Sequence, residues 1–300
     1  MWETALAFAI WGSYGSVLTA AHIDPALIAI VRSAALGLML TAASVTIARV
    51  RGPREITAAI PWQSGALWLS GIVLLADEVL YAISAVSGPV AIIGLAYGCV
   101  PVLVPILSRL AGTDRAGAMQ LRHWVCLALA FAGNAMVFVE LQSAHIHFTI
   151  AAIFAFLAGL LFTVMPVCSA KLQQQGLGTF AVLKGQGAVA AILAVPLLAV
   201  LIVLGIIKLG GPGQSGIAVR TLEIGVANAV AFALVPFYLW YRGIARCGAA
   251  RTAICAFAEP LVATLCSLFL LRDAPATPLL VAGAALVLCS IAVSARSGGE

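Results

Sequence analysis

Pro89-Val-Ala-Ile-Ile-Gly-Leu-Ala-Tyr-Gly-Cys-Val-Pro-Val-Leu-Val-Pro-Ile-Leu-Ser-Arg109 is an apolar run, long enough to cross a bilayer as a helix, that ends on a serine and an arginine. Ala253 to Leu271 has the same layout, with Glu259 before Pro260. Ser108 follows Pro101 by seven residues, and Ser267 follows Pro260 by the same interval. Gly88 and Gly248 stand close to the two starts, and the preceding runs end alike in Tyr81-Ala-Ile-Ser-Ala and Tyr241-Arg-Gly-Ile-Ala. The second apolar stretch of each half carries one cation, Arg32 and Lys184. Corresponding marks in corresponding places indicate a duplicated chain.

Composition sets the class. With 63% hydrophobic and 9% charged residues and a mean hydropathy of +1.12, a chain of this length has too little polar surface to cover a water-soluble fold. Ten stretches, roughly 3–21, 25–48, 64–87, 89–109, 123–141, 149–170, 178–207, 220–241, 250–271 and 276–294, reach the length of about 20 residues that a helix needs to span hydrocarbon. The first of them lacks a basic head and reads as a span, not as a signal peptide. Period-2 alternation is absent, which argues against a barrel. The fold expected is an all-α integral membrane protein of ten transmembrane helices in two five-helix repeats, 1–145 and 146–300. An odd number of spans per repeat inverts one half relative to the other, and such repeats place a binding site near the midplane.

With the N-terminus inside, eleven of the 16 Lys and Arg residues fall on inner loops and the tail; Lys208, Arg220 and Arg272 are outside, and Arg32 and Lys184 are embedded. This asymmetry predicts both termini in the cytoplasm. The net charge of +5 is thereby a topological signal and does not predict a nucleic-acid partner. Seven cysteines without a CxxC pair read as small buried residues. His145-x-His147 reads as a solvated loop, so no metal and no cofactor are expected.

Trp11-Gly12, Arg32, Pro101 with Ser108-Arg109, and Ala258-Glu259-Pro260 followed by Leu270-Leu271-Arg272-Asp273 resemble the drug/metabolite transporter superfamily, specifically its EamA-like members with ten spans. Two departures stand out: Arg272-Asp273 replaces the Gly-Glu common at that point, and Val100-Pro101 in the first half faces Glu259-Pro260 in the second. The resemblance implies export or exchange of small organic metabolites in a bacterial inner membrane.

Candidate site residues follow from cost. A charged group at the centre of a span costs about 2.5–3.5 kcal/mol on insertion scales unless it finds a partner or a wet cavity. Asp77 and Glu78 lie mid-span, and adjacent helical residues diverge by about 100°. Glu78, Tyr81, Ala82 and Ala85 share one stripe, so Glu78 is expected in the cavity and Asp77 on Arg32 or Lys184. Glu259 is either a proton- or amine-binding carboxylate or the anchor of the helix break at Pro260. Trp11, Tyr14, Tyr81 and Tyr97 are cavity-lining or core rings, suited to an organic cation, amino acid or planar metabolite. Trp240 and Tyr241 are expected in an interfacial aromatic belt, and Asn228 either bonds substrate or clamps helices.

No Walker loop, HExxH or Gly-x-Ser-x-Gly motif occurs, so neither an ATP-driven pump nor a membrane protease is expected. The sequence reads as a secondary transporter, an exporter of amino acids or amines by alternating access, and not an enzyme. Protons as coupling ion and a homodimer remain options. Alternatives are an importer or exchanger of nucleotide sugars, phosphorylated sugars or vitamins, or a membrane-embedded lipid-handling enzyme.

Overall fold

A computed structural model describes residues 1–21, 24–51, 60–87, 97–113, 120–143, 150–205, 215–271 and 277–296. All regular structure among them is helical. The first half contributes α1 (Trp2–Ala21), α2 (Pro25–Arg51), α3 (Gly65–Ser87), α4 (Val100–Leu110) and α5 (Leu121–Ser143). The second contributes α6 (Ile150–Phe162), α7 (Val164–Gln174), α8 (Thr179–Val203), α9 (Ser215–Asn228), α10 (Val235–Cys247), α11 (Ala249–Thr252), α12 (Ala258–Cys266) and α13 (Pro278–Arg296). Among the described residues six helical stretches are long and apolar enough to cross a membrane, and Val100–Leu110, Leu121–Val137 and Pro278–Ser294 are shorter apolar helices. Residues 89–96, 145–147, 210–214 and 272–273 lie outside the described residues, and with them the start of the expected fourth span, the His145-x-His147 pair and Arg272-Asp273.

The surface inverts the soluble pattern. Leu38, Val139, Val195 and Phe269 are exposed, whereas Arg32, Asp77, Glu78 and Glu259 are buried. Lipid tails are as apolar as leucine, so outward apolar side chains cost nothing here. Helices must instead hold together by close packing.

Three spans of the second half are broken, each for a local reason. Proline lacks the N–H that would bond to the carbonyl four residues earlier. Pro166 therefore releases the carbonyl of Phe162, where α6 gives way to α7. Pro236 releases that of Phe232, inside a π-helical turn over Ala229–Leu234. Pro260 follows a 3₁₀ turn over Ala253–Phe257 and releases the carbonyl of Ala256. Irregular backbone at membrane depth is tolerated only where protein or a wet cavity surrounds it.

Small residues set the crossings. α13 packs along α5, α8 along α2, and α12 and α10 along α1, while α3 contacts α6, α7 and α8. A Cβ on Gly133 would lie 2.6 Å from the carbonyl oxygen of Gly283, and a Cβ on Gly283 would lie 2.6 Å from that of Gly133. Gly37 likewise abuts Gly187. At Gly12, α1 approaches α12 so closely that a Cβ would meet the Glu259 carbonyl oxygen at 2.5 Å.

Candidate functional site

Eight of the ten candidate residues meet in one buried pocket. Trp11 and Tyr14 enter from α1, Arg32 from α2, Asp77, Glu78 and Tyr81 from α3, Tyr97 from the approach to α4, and Glu259 from α12. Phe162 and Phe237 complete the lining. Water can reach only ≈ 20 Å³ of it, about the space of a single molecule. A larger cavity of ≈ 710 Å³ lies elsewhere, between the start of α3 and α7. None of the embedded carboxylates lines it.

The pairing inside the pocket corrects the sequence expectation. Arg32 binds Glu78, its Nη2 donating to Glu78 Oε1. Asp77 instead accepts from the Tyr97 hydroxyl. Both carboxylates reach the same pocket by different routes, because the divergence of adjacent residues turns Glu78 toward α2 and Asp77 toward residue 97. Arg32 Nη2 also donates to the Phe232 carbonyl at 3.0 Å, and its guanidinium carbon lies 4.2 Å from the Tyr14 ring centre.

The Phe232 carbonyl is the anchor that the sequence reading missed. Freed by Pro236, it accepts from Arg32 and also from Trp11 Nε1 at 2.7 Å. This gives the Trp11-Gly12 pair a physical role: glycine admits α12, and tryptophan ties α1 to the π turn. The signal was present as a phenylalanine four residues before a proline, in Phe232-Ala-Leu-Val-Pro236 and again in Phe162-Thr-Val-Met-Pro166. Trp11→Phe keeps most of the ring and loses that one bond, so its unfolding temperature should fall by what about 1 kcal/mol of stability represents. Trp11→Ala should cost about 3–5 kcal/mol. Thermal unfolding of the purified protein in detergent distinguishes the two.

Glu259 is 2% exposed, and among the described residues no hydrogen bond or ion pair engages its carboxylate. Tyr14 stacks on Tyr81 with ring centres 5.4 Å apart, and Tyr81 meets Tyr97 edge-on at 5.5 Å. Trp240 and Tyr241 correct the belt expectation: both are fully buried, at 1% and 0% exposure. Trp240 lies parallel to Phe162 at 4.9 Å, closing the aromatic wall behind the pocket.

Lys184 and Asn228 do not line the pocket. Gly185 abuts Leu67, which precedes Glu78 by eleven residues, about 16 Å along α3 at 1.5 Å per residue. Lys184 therefore sits near the start of α3, while Arg32 sits at its middle. Asn228 donates to the Ile224 carbonyl at 2.8 Å, one turn back on its own helix, immediately before the π turn. Seven free cysteines include Cys126, Cys168 and Cys255 in buried positions, but Cys289 is exposed, against expectation. Among the described residues no cluster of three metal-ligating side chains occurs.

Residues 149–296 match the EamA-like transporter family. One solved structure, described only as a protein crystal structure, superposes with a TM-score of 0.71 at 19% identity, covering 98% of this chain and 96% of its own. At that identity the likeness is one of fold. No curated protein matches the sequence.

Proposed function

We propose that this chain, EamA-like over residues 149–296, is a secondary transporter that moves a small cationic or amine-bearing organic metabolite outward by alternating access, with protons as the coupling ion. It has ten spans in two inverted repeats, 1–145 and 146–300, and resides in a bacterial inner membrane with both termini cytoplasmic.

The charge balance of the pocket carries this reading. Three carboxylates, Asp77, Glu78 and Glu259, face one guanidinium, Arg32, in a buried space lined by aromatic rings. With all four ionised, two negative charges are left over, and an uncompensated charge away from water is expensive. Protons or a bound cation must neutralise them. A site that needs one or the other at all times is suited to exchange them. Anionic cargo such as a nucleotide sugar finds only one cation here, which argues against the importer alternative.

The glycine crossings support the inverted repeat. A helix and its counterpart can meet through equivalent residues only on the symmetry axis that relates them. Gly133 with Gly283 and Gly37 with Gly187 are two such contacts, each between glycines 150 positions apart. The exposed ion pair of Glu3 and Arg246 at 3.1 Å and the bond from Gln174 to the Thr113 carbonyl at 3.0 Å each join ends that ten alternating spans put on one side.

Uptake into proteoliposomes tests the proposal with a panel of amines, amino acids, nucleosides and organic anions, with and without a pH gradient. Gradient-driven flux of nitrogen-bearing cations or zwitterions is expected. Flux of none of them, or flux indifferent to the gradient, overturns proton-coupled transport.

A further inference from the structure

The cavity of ≈ 710 Å³ between α3 and α7 changes character along its length. Val164, Val167, Cys168, Lys171 and Gln175 line it from α7 and its end, at the i, i+3, i+4, i+7 and i+11 spacing of one helix face. That face is apolar where α7 begins and polar where it ends. Gly65, Ala66 and Leu69 line it from α3, Gln63 and Ser64 from just before that helix, and Ala111 from the end of α4. The polar ends coincide, because α8 starts a short turn after α7 and its Gly185 abuts Leu67 and Ile60 beside the start of α3. From Val164 to Lys171 is about 10 Å along α7, against about 30 Å for the hydrocarbon core, so the groove stays within one leaflet.

We propose that this groove seats an anionic phospholipid of the cytoplasmic leaflet, with its phosphate at Lys171, Gln63 and Gln175 and the upper part of one acyl chain along Leu69, Val164 and Val167. Lys171 is exposed and forms no ion pair among the described residues, and no carboxylate is among the described residues that line the cavity. Basic pockets between spans on the cytoplasmic side bind anionic lipid headgroups. Leu69 is 47% exposed within a span, and an apolar side chain exposed at that depth meets lipid. Trp62 is exposed as well. It packs beside Trp68, with ring centres 6.0 Å apart, and its carbonyl accepts from Trp68 Nε1 at 2.8 Å. Such rings mark the level of the headgroups, and they adjoin Gln63 and Ser64 in the chain.

Other occupants fit less well. Water does not fill the apolar end, since cavities lined by such side chains stay dry, and an empty space forfeits the dispersion contacts of its walls. Cationic cargo finds no acid here. A phospholipid matches both ends in the order in which the leaflet itself presents them. Only the choice of leaflet rests on the topology proposed above; the site does not depend on what the protein transports.

Native mass spectrometry of the detergent-purified protein tests the proposal by titration with dioleoylphosphatidylglycerol and dioleoylphosphatidylcholine, which share their chains and differ in headgroup charge. The first phosphatidylglycerol should bind about fivefold more tightly than phosphatidylcholine, the preference that one lysine at a membrane surface supplies. Lys171→Gln, an exposed substitution, should abolish the preference and leave phosphatidylcholine unchanged. Val167→Trp should fill the apolar end and weaken both lipids several-fold. Arg246→Gln removes a cation outside the groove and should keep the preference.

Equal binding of the two lipids by the wild type, or a preference that persists in Lys171→Gln, overturns the proposal. So does an equal loss in Arg246→Gln, which would reduce the effect to general surface charge. Displacement of phosphatidylglycerol by equimolar glycerol phosphate would make this a site for a free anion, and displacement by an amine of the uptake panel would make it a cargo vestibule; either overturns the lipid assignment. Undiminished binding in a folded Val167→Trp does the same, and Lys171→Gln decides alone if that variant does not fold. Uptake assays are not involved, so failure here leaves the transporter reading standing, and failure of uptake leaves the lipid site standing.

Discussion

Glu259→Gln abolishes gradient-driven uptake and leaves the protein folded: that pairing of results is the largest functional effect expected from a single substitution here. Of the three pocket carboxylates, Glu259 is the one without a bonded partner among the described residues, so glutamine breaks no ion pair and preserves the shape. It removes one of two uncompensated negative charges and the group best placed to exchange a proton for a ligand ammonium. Loss of flux by at least tenfold, with an unfolding temperature close to wild type, is the expected outcome. Glu78→Gln should behave in the opposite way. It leaves the buried Arg32 without its counter-charge, and breaking such a pair by removing one partner costs about 3–5 kcal/mol. A marked fall in unfolding temperature should accompany whatever flux remains. Parallel uptake assays and thermal unfolding separate the two acids. Gradient-driven uptake retained in Glu259→Gln would make this carboxylate structural and move coupling to Asp77.

Gly12→Val produces the largest structural effect. A Cβ at position 12 would lie 2.5 Å from the Glu259 carbonyl oxygen, 2.8 Å from Val262 Cβ and 3.2 Å from the Ala263 nitrogen. Two of these three neighbours are helical backbone, which cannot rotate away as a flexible side chain can. Overpacking costs about 1–3 kcal/mol where side chains can adjust, and more is expected here. The unfolding temperature should drop by several degrees, and uptake should fall with it, since α12 carries Glu259 and α1 carries Trp11 and Tyr14. Gly65 provides the comparison: nothing lies within 4 Å of a Cβ built there, so Gly65→Ala should be neutral in both assays. Equal unfolding temperatures for Gly12→Val and Gly65→Ala would show that α1 and α12 do not cross at this point.

Most of the pocket was legible in the sequence because hydrocarbon makes it so. A bilayer forces the backbone into helices, which reduces secondary structure to finding apolar runs of sufficient length. Against that uniform background Arg32, Asp77, Glu78 and Glu259 stand out by their cost alone, and buried tyrosines stand out by their hydroxyls. Phe162 did not, being one apolar residue within an apolar run. The belt reading of Trp240 and Tyr241 failed for a related reason. Their position near the end of a span resembles an interfacial ring, whereas α10 turns both inward against Phe162 and Phe237.

The sequence by itself determined that the chain is helical and membrane-embedded, that its two halves carry the same marks, and which side chains were too costly to be idle. Tertiary structure alone decided who meets whom. Depth and rotation of each helix follow from the glycine crossings at positions 12, 37, 133, 187 and 283, and those contacts join residues far apart in the chain. They put Glu78 on Arg32 and Asp77 on Tyr97, held Lys184 about three helical turns from the pocket along α3, and brought the carbonyl that Pro236 releases within reach of Trp11 and Arg32. Helical periodicity specifies a residue's direction about its own axis only; it contains no information about the neighbour that the direction finds.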